Sequence, residues 1–106
     1  MSKNDEMLNK AKQLVARYFN DYLIKEQPTY YRNLCSIDED FQLTTNDVFV
    51  VWFCKTLQNW KALVSTTIPD GMYYEVTYNG DKKETYVDAY RKWQNIRFQD
   101  DTESCT

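Results

Sequence analysis

Residues 48–79 read VFVVWFCKTLQNWKALVSTTIPDGMYYEVTYN, a nearly continuous run of β-branched and aromatic side chains broken only where turn formers cluster. Such side chains suit a pleated, half-buried surface, so the run predicts strands joined as hairpins. Val48, Val50, Trp52 and Cys54 alternate with Phe49, Val51 and Phe53, and both sets are apolar. That pattern predicts a first strand covered on both faces and central in its sheet, with Cys54 buried. Leu57, Gln58 and Asn59 supply a short reversal, Trp60 to Thr67 return as a second strand, and Pro69, Asp70 and Gly71 suit a type I or II turn. Trp52, Phe53, Tyr74 and Val76 are expected in the core.

Charge sets the expected register of the last hairpin. With Asn79 and Gly80 as a two-residue turn, Glu75 falls opposite Glu84, a like-charge pair that costs stability. A four-residue loop from Asn79 to Lys82 instead pairs Tyr78 with Lys83, Val76 with Thr85 and Tyr74 with Val87. It places Met72, Tyr74, Val76, Val87 and Ala89 on one face. Beyond Tyr86 the spacing of Ala89, Tyr90, Trp93 and Ile96 fits a short helix from about Val87 or Asp88 to Asn95. A strand continuing to Tyr90 uses the same residues, and both readings stay open.

Upstream, Met7, Leu8, Ala11, Leu14, Val15, Tyr18, Phe19 and Tyr22 form the i, i+3, i+4, i+7 series of an amphipathic helix. Ser2, Asn4 and Asp5 offer capping oxygens for a start near residue 4 or 5, and the pattern ends at Gln27 and Pro28. Residues 25–46 sustain neither period and read as a long connecting loop with an acidic cluster at Asp38, Glu39 and Asp40. The expected fold is α+β, with the N-terminal helix packed on a three- to four-stranded antiparallel sheet and a short C-terminal helix or extended arm. Residues 1–98 form one domain, and 99–106, QDDTESCT, form a disordered acidic tail.

A chain of 106 residues with 42% hydrophobic and 27% charged residues belongs among ordinary globular domains. The net charge of −3 is spread through the sequence and leaves no basic stripe for tracking phosphates. No apolar run has the length of a signal peptide core or a membrane span, so a cytoplasmic protein with no membrane partner is expected. Cys35, Cys54 and Cys105 lack ligand-like spacing and read as reduced thiols, with Cys105 open to oxidation in vitro.

The absence of histidine removes the commonest general base and metal ligand, together with the Ser-His and Cys-His nucleophile pairs. The two glycines, Gly71 and Gly80, are both taken by turns, which leaves none for a phosphate-cradling loop. The acidic cluster lacks the glycine and spacing of a calcium loop and reads as solvated. No cofactor and no enzymatic activity are expected, with carboxylate or thiol chemistry as the remote enzyme alternative. Trp52, Lys55, Trp60, Lys61, Tyr73, Tyr78, Lys82 and Lys83 interleave aromatics with lysines as single-strand nucleic-acid platforms do, against an unfavourable overall charge. Nine tyrosines and three tryptophans exceed what a two-layer domain of this size encloses, so some lie on the surface. Tyr30, Tyr31, Arg32, Tyr73, Tyr90, Arg91 and Trp93 are the candidate partner-binding residues, and the same residues would serve a homodimer.

The run VVWFCKTLQNWKALVSTTIPDGMYYEVTYNGDKKETYVDAY, with ARYFNDYL upstream, resembles a family of short uncharacterised proteins encoded by phages and prophages of Gram-positive bacteria such as streptococci and lactococci. That family is a domain of unknown function, so no site residues carry over. The resemblance implies a small phage gene product acting inside an infected or lysogenic cell. The function expected is a non-enzymatic protein-binding module that modulates a host or defence protein. A nucleic-acid accessory role in phage replication or regulation is the runner-up.

Overall fold

The computed structural model describes residues 3–38 and 40–100. An N-terminal helix lies across one face of a four-stranded antiparallel sheet, giving a two-layer α+β domain. Helix α1 spans Lys3–Tyr18 and passes through a π-helical turn, Phe19–Leu23, into the short α2, Ile24–Glu26. The Ile24 N–H donates to the Phe19 carbonyl across the wider turn. Ala11, Val15, Phe19 and Leu23 keep a four-residue spacing and are all buried, so the apolar series sets the buried face. Lys10 lies 4.8 Å over the Tyr78 ring and Tyr18 meets Tyr74 edge-on at 5.9 Å, which seats the helix along the sheet.

The expected loop over 25–46 is not one loop, because Pro28–Cys35 forms a third helix, α3. Proline both ends α2 and starts α3. Its fixed φ suits the first helical position, where a missing N–H costs nothing. The helix ends at Ser36, in the left-handed conformation with φ 59. Tyr31, expected as a surface residue, is fully buried from α3 against Phe19, with ring centroids 5.1 Å apart. The following segment is tied down by Asn20, whose side chain accepts from the Leu43 N–H at 2.7 Å and donates to the Leu43 carbonyl at 2.9 Å. Thr44 and Asp47 then form a capping box on a 3-10 turn, Thr45–Asp47, that leads into the sheet.

Strands β1 (Val48–Thr56), β2 (Asn59–Thr66), β3 (Met72–Asn79) and β4 (Glu84–Arg91) follow chain order across the sheet. Strand β1 is therefore an edge strand, not a central one. Its simple alternation fails at a β-bulge: Val50 pairs with Val64 but Trp52 pairs with Leu63, leaving Val51 as an extra residue. Val48, Val50 and Phe53 face the helix, while Phe49, Trp52 and Cys54 face away. Cys54 and Trp52 are exposed for this reason, contrary to the core positions expected for them.

The last hairpin pairs Val76 with Val87, Tyr74 with Ala89 and Asn79 with Glu84, two residues beyond the expected register. A two-residue shift keeps side-chain parity, so Val76, Tyr74, Val87 and Ala89 share a face as expected. Turn chemistry overrides the charge argument. The Asn79 side-chain oxygen accepts from the Asp81 and Lys82 N–H groups, and Lys83 takes φ 53, so the loop closes over Gly80 to Lys83. Gly80 packs against Gln58 of the neighbouring hairpin so closely that a Cβ would collide with its carbonyl. The resulting Glu75–Asp88 like-charge pair is offset by Lys61, whose ammonium lies 3.2 Å from the Glu75 carboxylate.

Residues 87–91 are strand, which settles the alternative between helix and strand, and an extended arm without helix follows to Asp100. The Lys92 N–H donates to the Gly71 carbonyl at 2.8 Å and anchors the root of that arm. Of the expected acidic tail, residues 101–106 lie outside the described residues.

Candidate functional site: the open face of the sheet

Antiparallel partners point their side chains to the same side, so the register sorts every strand residue between two faces. Trp60, Ala62, Val64, Met72, Tyr74 and Val76 form the helix-covered side and are buried. The other side has no covering layer among the described residues. Tyr73 pairs with Tyr90 there, and Phe49 stands on the same end of the sheet opposite Ser65. Trp52 pairs with Leu63, and Cys54 with Lys61, which pairs in turn with Thr77 and through it with Tyr86. Phe49, Trp52, Tyr86 and Tyr90 are between 43 and 53% exposed, an aromatic group spread over both edge strands and held by a rigid ladder.

Beside the β1–β2 hairpin this face deepens into a cleft of about 290 Å³ lined by Trp52, Cys54, Thr56, Asn59, Trp60, Lys61 and Thr77. The charged side chains on the open face are Lys61, Glu75, Glu84 and Asp88, an excess of negative charge. The Tyr86 hydroxyl donates to the Glu84 carboxylate, and that hydrogen bond raises the Tyr86 pKa from its ordinary value. The face therefore offers stacking surface, a small apolar recess and an acidic rim. Among the described residues no three His, Cys, Asp or Glu side chains come together to hold a metal ion. No described helix is long and apolar enough to cross a membrane.

The seven candidate residues separate into distinct places. Tyr73 and Tyr90 meet as cross-strand partners on the open face. Tyr30 and Arg91 meet on the helix side, with the guanidinium 5.2 Å from the ring centroid. Arg32 is exposed on α3, and Trp93 stands almost wholly exposed on the arm. Tyr31 belongs to the core: its hydroxyl donates to the Asp70 carboxylate at 2.7 Å, and Asp70 also accepts from the Met72 N–H at 3.1 Å. Phe49, Trp52 and Tyr86 were absent from these seven, although Trp52 stood in the aromatic and lysine pattern weighed for nucleic acid. Both parities of VFVVWFC are apolar and no glycine marks the bulge at Val51, so only the register reveals Phe49 and Trp52, whereas Tyr86 shares the strand parity of Tyr90 and was legible in the sequence.

Residues 8–100 match the Family of unknown function (DUF6275). The chain belongs to that family. The match runs from α1 through all four strands and into the extended arm, so in this DUF6275 member the arm is part of the family unit. No curated protein and no solved structure matches the chain.

Proposed function

We propose that the chain is a non-enzymatic protein-recognition module whose working surface is the open face of its sheet. The observation that carries this reading is the aromatic group of Phe49, Trp52, Tyr86 and Tyr90, uncovered on a rigid ladder beside an apolar cleft. Tyrosine and tryptophan contribute large contact area at low entropic cost, and rigid presentation keeps that cost low. In keeping with the resemblance to short phage and prophage proteins, the partner proposed is a host protein in the cytoplasm of an infected or lysogenic cell, which the module modulates. Exposed aromatics on a sheet also suit single-stranded nucleic acid, but three carboxylates against one lysine on this face repel phosphate. Thiol chemistry gains an accessible Cys54 in the cleft. Its neighbours there, Trp52, Thr56, Asn59, Lys61 and Thr77, include no carboxylate or imidazole to take the thiol proton.

Immobilised wild-type chain incubated with a streptococcal or lactococcal lysate is expected to retain one stoichiometric protein, nuclease treatment making no difference. Trp52→Glu and Tyr90→Ala are expected to lose it, whereas Cys54→Ser is expected to keep it. Equal retention by wild type and the two face variants, or release by nuclease, overturns the reading.

A further inference from the structure

The arm that follows β4 carries three large apolar side chains, Trp93, Ile96 and Phe98, exposed by 94, 56 and 85%. Burying such side chains against a partner surface is favourable by about 25 cal/mol per Å² of apolar area. On the open face lies a recess into which no other described residue projects. Resting on the reading of that face as a recognition surface, we propose that its resident occupant is the arm of a second copy, each arm lying on the other's sheet with Trp93 in the cleft.

Reach excludes Trp93 from its own cleft. The arm leaves the sheet beside Met72, the partner of Arg91, whereas the cleft surrounds Cys54, Lys61 and Thr77. Thr77 stands about 16 Å up β3 from Met72 at ~3.3 Å per residue, and β1 lies about 14 Å across the sheet from β4 at ~4.8 Å per strand. Trp93 is two residues past Arg91 and commands about 7 Å of chain.

Charge complements that occupant. Lys92 and Arg97 make the segment KWQNIRF basic with no acid in it, and it would lie on a face bearing Glu75, Glu84 and Asp88 against Lys61. Size agrees as well. Two aromatics bury about 150–250 Å² each. Reciprocal arms with the matching area on the two faces bring the total to about 1,600 Å², the standard size of a stable interface. The exchange is isologous and closes at two copies.

Sedimentation equilibrium of the full chain at about 100 µM is expected to give twice the 12.8 kDa chain mass. The double variant Trp93→Ala, Phe98→Ala, which changes only exposed arm residues, is expected to give the mass of one copy. Thr77→Arg, which fills the cleft and repels the basic arm, is expected to do the same. Circular dichroism melts confirm that each variant stays folded. A wild type of single mass up to about 1 mM, or a dimer that survives either variant, overturns the proposal. A single-mass wild type leaves the face free for another protein, whereas retention independent of Trp52 and Tyr90 in the lysate experiment overturns the recognition reading whatever the mass.

Discussion

Phe19→Ala is expected to cost about 3–5 kcal/mol of folding stability, the largest loss from any single truncation in this domain. Phe19 is fully buried at the π-helical turn, where three segments meet. Its ring packs edge-on against Tyr31 of α3 at 5.1 Å and against Phe41 of the following segment at 6.3 Å. Truncation opens a void that neither ring can fill without leaving its own site, since Tyr31 is tethered to Asp70 and the Leu43 backbone is clamped by Asn20. Domains of this size hold about 5–15 kcal/mol in all, so melting should fall by roughly 12–30 °C. Urea unfolding at pH 7 measures the loss, with Lys25→Ala as the exposed control expected within about 0.5 kcal/mol of wild type. A loss under about 1 kcal/mol for Phe19→Ala would mean that α3 and the segment after it are not docked on the helix.

Stability is expected to collapse above pH 10. Burial is the first cause that pushes the Tyr31 hydroxyl well above the ordinary tyrosine pKa, and its hydrogen bond to Asp70 adds to it. Tyr74 is raised too, first by burial and then by the Asp70 and Tyr18 charges, with Arg91 opposing. Both groups hold their protons longer in the folded chain than in the unfolded one. Their contribution is fully present below pH ~10, the unfolded value, and is lost as pH rises through the folded values. Above pH 10 the unfolded chain binds fewer protons, so each tyrosine removes about 1.4 kcal/mol per pH unit and the pair about 2.7. Urea midpoints between pH 9 and 11.5 give the slope, and Tyr74→Phe should halve it. The Tyr74 hydroxyl is buried with no hydrogen-bond partner among the described residues, so that variant should not lose stability at pH 7. Midpoints that stay flat to pH 11.5, or two buried tyrosines titrating near pH 10 in a folded chain, would contradict the packing of Tyr31 and Tyr74.

The α+β class, the N-terminal helix and the strand-rich half were legible because their periods are long and unmixed. Ala11, Val15, Phe19 and Leu23 repeat over several turns, and Met72, Tyr74 and Val76 alternate with Tyr73, Glu75 and Thr77. Three features were hidden for separate physical reasons. Helix α3 follows a proline that reads as a terminator, although at a first helical position it is an initiator. The hairpin register was displaced by two because Asn79 and Lys83 determine the loop and Lys61 compensates the Glu75–Asp88 pair that the observed register creates.

The bulge at Val51 has no local signature, since every residue from Val48 to Phe53 is apolar. Trp52 reaches the open face through that bulge and Phe49 through the edge position of β1, so neither was found among the partner-binding candidates with Tyr73 and Tyr90, whereas Tyr86 shares the parity of Tyr90 and was legible but overlooked. The reversal of Trp52 and Cys54 from core to surface follows from one extra residue in an edge strand.

The reactivity of Cys54 tests that reversal most directly. Native chain diluted to low concentration and pulsed with a thiol reagent, then digested and read by mass spectrometry, is expected to carry label at Cys54. Its rate should lie within about tenfold of the denatured chain, while the half-buried Cys35 lags behind. Labelling of Cys54 only as fast as the whole domain unfolds would return Cys54 and Trp52 to the core and remove the open aromatic face.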